Sequence, residues 1–208
     1  MNSATESFTW QGPAGDIEAL LDRPAAGLPL RGTAVIAHPH PLFGGTMHNK
    51  VVQTLARACV QTGWQALRFN FRGVGASQGV HDGGAGETDD LLALIAAQVP
   101  QGPLVIAGFS FGAYVACQAV ARLMPLRPPE RVVLVGTAAS RFSVPALDPA
   151  LHEAALVLHG EQDDTVPLAS VLDWARPQHL PVTVIPGVEH FFHGQLPLLR
   201  QLLVRHLR

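Results

Sequence analysis

Residues 104–112 read L-V-I-A-G-F-S-F-G, and they carry the strongest signal for the fold of this chain. Its apolar first half predicts a strand covered on both faces, and the residues after Ser110 carry the small, apolar pattern of a helix. The G-x-S-x-G pattern at the junction is typical of a sharp turn from strand to helix, with glycines where a larger side chain would clash. A strand that runs directly into a helix is the repeating unit of a parallel sheet.

Strand-like and helix-like runs alternate on both sides of this turn. Strands are predicted at 33–38, 64–71, 104–109, 131–135, 155–159 and 182–185, and helices at 49–61, 88–98, 111–124, 168–175 and 195–207. Two further runs, 7–12 and 16–22, flank a Gly-Pro-Ala-Gly turn and predict an N-terminal antiparallel hairpin. In the second helix, we expect Thr88 as the N-cap and Asp89 and Asp90 in the first turn. The chain is therefore expected to be an α/β protein, with a mostly parallel sheet of about eight strands and helices on both faces.

Length and composition exclude several classes of protein. The 208 residues predict a single domain spanning 1–208. A net charge of −2 provides no basic face for nucleic acid, and no apolar run reaches the roughly 18 residues of a membrane span. The first ten residues lack the features of a signal peptide, so a cytoplasmic protein is expected. Cys59 and Cys117 are expected to be buried thiols, and no Cys/His spacing indicates a metal.

Two G-x-S-x-G patterns compete for the role of nucleophile, at 108–112 and at 75–79. Ser110 follows an apolar strand and precedes a helix, whose N-terminus and backbone N–H groups stabilise negative charge. Ser77 is followed instead by a glycine-rich loop over 79–86, with no helix at the turn. We therefore expect Ser110 to be the nucleophile.

A serine nucleophile needs a neutral imidazole to accept its proton and a carboxylate to hold that imidazole in one tautomer. In this architecture, the acid and then the base follow the serine along the chain. The loop G-E-Q-D-D-T-V-P, after a predicted strand, supplies Asp163 as the expected acid, with Asp164 and Glu161 as alternatives. The loop after the last strand supplies His190 as the expected base, with His193 as the alternative.

The tetrahedral intermediate of acyl transfer needs two backbone N–H donors for its oxyanion. One is expected from Phe111, directly after the nucleophile. The other is expected from the loop H-P-H-P-L-F-G-G (38–45), in which two prolines have no N–H to donate. Leu42 is the first choice there and His40 the second. Because His38 and His40 have no third ligand at a matching spacing, we expect no metal at this loop.

The chain resembles the α/β-hydrolase fold, in particular small bacterial hydrolases close to carboxylesterases and dienelactone hydrolases. The matching stretches are H-P-H-P-L-F-G-G-T-M-H-N-K (38–50), F-R-G-V-G-A-S-Q-G (71–79), G-F-S-F-G (108–112), H-G-E-Q-D-D-T-V-P (159–167) and G-V-E-H-F-F (187–192). The resemblance implies that Ser77 is the structural serine of the loop after the fourth strand. Dienelactone hydrolases carry Cys at the elbow and dehalogenases carry Asp, so a serine at this position indicates ester-like chemistry.

The same resemblance implies a role for five residues. It implies Ser110 as nucleophile, Asp163 as acid and His190 as base. It also implies Phe111 and Leu42 as the oxyanion donors, although the common H-G-x-G motif of that loop is replaced here by H-P-H-P-L-F-G-G.

The spacing of the predicted strands limits what can cover the site. About twenty residues, 136–154, separate the strands at 131–135 and 155–159, and Pro145 and Pro149 interrupt them. A helical cap would need more chain, so we expect an open site without a cap domain. Four aromatic side chains are expected to line its shallow pocket: Phe43, Phe109, Phe111 and Phe192.

The sequence thus predicts a serine hydrolase that cleaves small, short-acyl carboxylic esters through an acyl-enzyme intermediate. A thioesterase or a small-peptide hydrolase would use the same three residues, because all three reactions are acyl transfers. A catalytically silent, hydrolase-like binding module is the alternative from another class, and such a module usually lacks one member of the triad. The expected partner is a small-molecule ester, with no nucleic acid, no membrane span, no metal and no cofactor.

Overall fold

A computed structural model describes residues 5–208; the first four residues, part of the stretch in which no signal peptide is expected, lie outside the described range. The strands are β1 (Thr5–Gly12), β2 (Gly15–Asp22), β3 (Gly32–Ala37), β4 (Trp64–Phe69), β5 (Leu104–Phe109), β6 (Arg131–Val135), β7 (Ala155–Gly160) and β8 (Val182–Ile185). The helices are α1 (Lys50–Gln61), α2 (Ala85–Gln98), α3 (Phe111–Leu123), α4 (Leu168–Ala175) and α5 (Leu196–Leu207). Apart from the start of α2, each boundary lies within two residues of its predicted position.

The strands of the described residues form a single sheet in the order β1-β2-β4-β3-β5-β6-β7-β8. β1 and β2 form the antiparallel hairpin, β2 joins β4 in antiparallel orientation, and every pair from β4 to β8 is parallel. The order places β3 and β5 at the centre of the sheet. The carboxyl ends of both central strands therefore meet at one edge, where ligands bind in sheets of this kind.

Helices cover both faces of the sheet, as the sequence predicts. Buried side chains of α2, α3 and α4 pack on one face, and those of α1 and α5 pack on the other. β5 contributes to both cores, because its successive side chains point to opposite faces: Leu104 and Ile106 face the first core, and Val105, Ala107 and Phe109 face the second. This double burial explains why the strand is apolar throughout.

The start of α2 differs from the prediction. The helix begins at Ala85, and Glu87 accepts hydrogen bonds from the backbone N–H groups of Gly84 (2.8 Å) and Asp82 (2.9 Å). Thr88 is not the N-cap: it lies inside the helix and its hydroxyl donates to the Gly84 carbonyl (2.6 Å). The apolar periodicity that fixed the prediction starts only after Glu87, so it misses a first turn held by a buried carboxylate.

Residues 136–154, between β6 and β7, contain one short 3-10 turn, Pro149–Leu151, and no helical cap. Within the described range, no helix has both the length and the apolar composition needed to cross a bilayer. The carboxyl edge of the sheet is therefore bordered by loops alone, and these loops carry the predicted site residues.

Candidate active site

Ser110 lies on a strained turn between β5 and α3, with φ 56° and ψ −116°. Its backbone N–H donates to the Val135 carbonyl (2.8 Å), which ties the turn to the neighbouring strand. A Cβ on Gly108 would lie 2.2 Å from the Gly112 carbonyl oxygen, and one on Gly112 would lie 2.3 Å from the Ala37 carbonyl oxygen. Both glycines are therefore required, because any side chain there would push α3 away from the sheet.

Ser110, His190 and Asp163 form a continuous chain of hydrogen bonds. His190 Nε2 lies 3.0 Å from Ser110 Oγ, and His190 Nδ1 lies 2.6 Å from Asp163 Oδ2. A carboxylate can only accept, so Nδ1 carries the proton and donates, which leaves Nε2 free to accept from the serine hydroxyl. All three residues are buried to more than nine-tenths of their surface. The three predicted site residues are thus brought together from three different loops.

The loop after β7 holds the Asp163 carboxylate rigidly. Asp163 Oδ1 accepts from the backbone N–H groups of Val166 (2.7 Å) and Thr165 (3.0 Å). Behind it lies His159, whose Nε2 donates to the Val166 carbonyl (2.9 Å) and lies 3.4 Å from Asp163 Oδ2. Burial lowers the pKa of His159, so this second histidine remains neutral beside the carboxylate.

The alternative acids and base lie elsewhere. Asp164 is exposed, and the Glu161 carboxylate accepts from the Gly187 backbone N–H (2.8 Å) at the surface. His193 is exposed and pairs with Glu189 at 3.0 Å. None of these three side chains hydrogen-bonds to Ser110 or lines the cavity above it.

Ser77 has a different environment from Ser110. Its hydroxyl donates to the Asn70 carbonyl (2.8 Å) and accepts from the Glu18 backbone N–H (3.0 Å). These bonds join the loop after β4 to β2. Both bonding capacities of Ser77 are therefore used within the fold, and no histidine of the described residues contacts it.

The two candidate oxyanion donors of the loop after β3 lie in different environments. Leu42 does not line the cavity above Ser110: its side chain is 70% exposed and its N–H donates to His40 Nδ1 (3.2 Å). His40 caps a short 3-10 turn, Pro41–Phe43, and its own N–H has no protein acceptor among the hydrogen bonds of the described residues. The Phe111 N–H, at the first position of α3, has none either. The signal in the sequence for this 3-10 turn is Pro41, because proline is favoured at the first position of a helical turn.

A cavity of about 290 Å³ opens above Ser110 and His190. Its lining comes from the loops after β3, β6, β7 and β8 and from the start of α3. The remaining lining residues are Pro39, His40, Phe43, Gly44, Gly45, Asn49, Phe111, Ala138, Arg141, Phe142, Thr165, Val166 and Phe191. The site is thus an aromatic-lined cleft with few polar groups.

Two of the predicted aromatic lining residues are not in this cavity. Phe109 faces the second core and packs against His190, with ring centroids 4.9 Å apart. Phe192 is fully buried in the same core. The alternation of β5 places Phe109 on the face opposite to Ile106, which the strand pattern already implied. Phe142 and Phe191, which the sequence analysis did not select, take their places in the lining.

Other reactive side chains near the sheet are committed to the fold. His38 Nδ1 donates to the Pro39 carbonyl (2.6 Å), its Nε2 accepts from the Phe71 N–H (2.9 Å), and burial lowers its pKa to about 4. Burial also raises the pKa of the Cys59 thiol to about 12 and that of Cys117 further, so neither forms a thiolate near neutral pH. No three His, Cys, Asp or Glu side chains in residues 5–208 are grouped so that they could hold a metal ion.

Known proteins are similar to this chain in both sequence and fold. A family model described as "Serine aminopeptidase, S33" matches residues 30–147, which include Ser110 but end before Asp163 and His190. An uncharacterized protein of Rickettsia prowazekii is 34% identical over 200 residues, covering 88% of this chain and 80% of the relative.

Two solved structures are similar over nearly their whole length. One, from Xanthomonas campestris, is described as an α/β serine hydrolase without lid; it is 36% identical, covers 100% of this chain and 95% of that chain, and has a TM-score of 0.89. The other, an α/β serine hydrolase homologue from Coxiella burnetii, is 39% identical, covers 100% and 99%, and has a TM-score of 0.84.

Proposed function

Because this chain belongs to the α/β serine hydrolases, in the family described as serine aminopeptidase S33, we propose that it cleaves small, short-acyl carboxylic esters. The single observation that carries the proposal is the hydrogen-bond chain from Asp163 through His190 to Ser110. It gives the serine a base in the correct tautomer, which is what acyl transfer to a hydroxyl requires. A catalytically silent binding module would have no reason to keep this chain of bonds together with the strained elbow.

In the first half of the reaction, Ser110 Oγ attacks the ester carbonyl carbon while its proton passes to His190 Nε2. The tetrahedral intermediate collapses when the bond from carbon to the alcohol oxygen breaks and His190 returns the proton to that oxygen. The alcohol leaves and the acyl group remains on Ser110. Asp163 stays ionised throughout and stabilises the positive charge on His190.

In the second half, a water molecule takes the place of the alcohol. His190 Nε2 accepts a proton from this water as its oxygen attacks the acyl carbon. Collapse of the second intermediate breaks the bond to Ser110 Oγ, which recovers its proton from His190. The carboxylic acid leaves and the enzyme is restored.

The oxyanion of both intermediates is assigned to the backbone N–H groups of Phe111 and His40. Both belong to residues that line the cavity, and neither has an acceptor among residues 5–208. The Phe111 N–H also stands at the N-terminus of α3, where the helix dipole favours negative charge. Leu42 is rejected as a donor because its N–H is already bonded to His40.

The cavity favours esters over the terminal peptides that the family description suggests. An aminopeptidase must pair the free α-ammonium group of its substrate, usually with a carboxylate. Among the described residues that line the cavity there is no Asp or Glu. An ester with a short acyl group has no such requirement and fits an aromatic-lined cavity of about 290 Å³. A thioester would react by the same steps.

Labelling with a fluorophosphonate probe, followed by peptide mass spectrometry, tests the proposal. Wild type and Ser77→Ala should carry the label on the peptide containing Ser110, and Ser110→Ala should carry none. Ser170→Ala, at a partly exposed serine of α4 that does not line the cavity, is the matched control and should label like wild type. A folded wild-type protein that takes no label, or takes it elsewhere, would contradict the triad.

A substrate comparison then separates the acyl-transfer alternatives. We expect 4-nitrophenyl butyrate to be hydrolysed with a kcat/KM at least 100-fold above that for alanine 4-nitroanilide. A preference for the anilide would instead support the small-peptide alternative.

A further inference from the structure

Arg141 lies in the wall of the cavity that holds Ser110 and His190. Its backbone is part of a tight turn, in which the Ala138 carbonyl accepts from the N–H groups of both Arg141 and Phe142 (3.1 Å each). Phe142 in turn stacks on Tyr114 of α3, with ring centroids 4.7 Å apart and an interplanar angle of 14°. The backbone that carries the Arg141 side chain is therefore fixed by these contacts, although the loop is irregular.

Arg141 is the only formally charged residue in the lining of this cavity, as far as the described residues show. Its side chain is exposed, and none of the ion pairs among residues 5–208 involves it. Glu87, a buried carboxylate whose charge acts on the neighbouring His40, does not line the cavity. It accepts from two backbone N–H groups and lies 2.7 Å from His81 Nδ1. Arg141 thus lines an aromatic cleft and has no ion-pair partner among residues 5–208.

Electrostatic effects on a neighbouring residue agree with this placement. Burial lowers the pKa of His40, and the charges of His81 and Arg141 lower it further, while Glu87 opposes them. His40 lines the same cavity as Arg141 and Ser110, with its ring 4.9 Å from that of Phe111. The field of Arg141 therefore extends to the residues around Ser110.

We propose that Arg141 binds a carboxylate on the substrate, so that the preferred substrates are esters carrying a carboxylate a few atoms from the bond that is cleaved. A guanidinium matches the planar carboxylate with two parallel N–H donors. A phosphate would be expected to need further cations or N–H donors, and the lining offers no second charged donor. The inference rests on the proposed esterase function, of which it names the substrate class.

Two pairs of substrates test whether Arg141 binds a carboxylate in the acyl group or in the alcohol of the ester. On the acyl side, mono-4-nitrophenyl adipate is compared with its uncharged methyl ester, and release of 4-nitrophenol is measured. On the alcohol side, 3-acetoxybenzoate is compared with methyl 3-acetoxybenzoate. For one of the two pairs, we expect wild type to favour the carboxylate form roughly two- to fivefold in kcat/KM, since Arg141 is exposed to solvent.

In Arg141→Met, the carboxylate substrate and its methyl ester should have similar kcat/KM values. In Arg141→Glu, the methyl ester should be the preferred substrate. The matched control is Arg200→Met, at an exposed arginine of α5 away from the cavity, and it should leave the ratio unchanged. High salt should reduce the ratio in wild type but not in Arg141→Met. A ratio that is the same in wild type and Arg141→Met for both pairs overturns the inference.

A binding measurement separates failure of this inference from failure of the esterase function. Isothermal titration of adipate and 3-hydroxybenzoate into Ser110→Ala reports carboxylate binding without turnover. If wild type hydrolyses uncharged esters but shows no ratio and no binding that depends on Arg141, only the inference is wrong. If no ester is hydrolysed and no probe label is taken, the esterase function is wrong, and binding lost in Ser110→Ala/Arg141→Met would still support a carboxylate site.

Discussion

Replacing Asp163 by asparagine changes one atom of the site and tests the proposed role of the carboxylate. In wild type, Oδ1 accepts from two backbone N–H groups and Oδ2 accepts from His190 Nδ1. Asparagine has one oxygen and one NH₂ group, so it can satisfy only one of these two sides. The question is therefore which side takes the amide oxygen.

The structure indicates that the amide oxygen faces the two backbone N–H groups and the NH₂ group faces His190. If the NH₂ group faced Val166 and Thr165, two N–H donors would lose their acceptor, at a cost of about 2–6 kcal/mol in total. If the NH₂ group faces His190, Nδ1 must become the acceptor and the proton moves to Nε2. His159 Nε2, 3.4 Å from Oδ2, is too distant to outweigh the two backbone bonds. An Nε2–H cannot accept the Ser110 proton, so the base is lost.

The expected loss of activity follows from that difference. At about 1.4 kcal/mol per factor of ten, 2–6 kcal/mol leaves between roughly one part in 30 and one part in 10⁴ of the protein in the active tautomer. Loss of the carboxylate charge beside the protonated His190 adds to this, so we expect kcat/KM to fall by about 10³–10⁴. Because both backbone bonds survive, the midpoint of thermal unfolding should shift by less than about 5 °C.

Hydrolysis of 4-nitrophenyl butyrate at pH 8 gives the rate, and circular dichroism gives the unfolding midpoint. Asp164→Asn, at the exposed neighbouring acid, is the control and should keep wild-type activity. A folded Asp163→Asn variant with more than a tenth of the wild-type kcat/KM would refute the tautomer argument.

The remaining predictions concern stability and the position of the base. Burial lowers the pKa of His38 from 6.5 to about 4, so between these pH values the unfolded chain binds more protons than the folded one. The contribution of His38 to the free energy of unfolding should therefore fall by about 3 kcal/mol as the pH decreases from 6.5 to 4. Urea unfolding at several pH values measures this, and His38→Gln should show a shallower fall; an equal slope in both proteins would contradict it. A Cβ at Gly136, where φ is 56°, would lie 3.0 Å from His190 Cε1, so Gly136→Ala should cost about 1 kcal/mol of stability and lower kcat/KM at least tenfold. Wild-type activity in Gly136→Ala would show that His190 has more freedom than the packing indicates.

Most of the fold could be predicted because the signals for its elements are local. The all-apolar β5 and the amphipathic helices report burial directly in their residue order, and alternating strands and helices allow few arrangements. The predicted start of α2 was wrong because it relied on apolar periodicity. Glu87 holds the first turn through a hydrogen bond to the backbone, and such a bond leaves no trace in that periodicity.

The sequence could predict some residues of the candidate site but not others. Ser110, Asp163 and His190 each follow the end of a strand, and the parallel sheet brings such ends to one edge whatever the details of packing. The sequence could not show that the Leu42 N–H donates to His40, because the orientation of a backbone N–H depends on the conformation of its loop. Phe192 lies two residues after His190, has a φ of 57° and is buried in the second core, and none of this is visible in the local sequence pattern.

By itself, the sequence determined the order of strands and helices, the serine at the elbow and the three residues that meet there. These depend on side-chain period and on glycine at two crowded positions, both of which are properties of neighbouring residues. Only the tertiary structure decided which backbone N–H groups remain unpaired and which aromatic side chains line the cavity. It also placed Arg141 in the lining of that cavity, with no carboxylate partner among residues 5–208. Such features depend on the relative positions of loops that are far apart in the chain, and no local pattern encodes a distance between them.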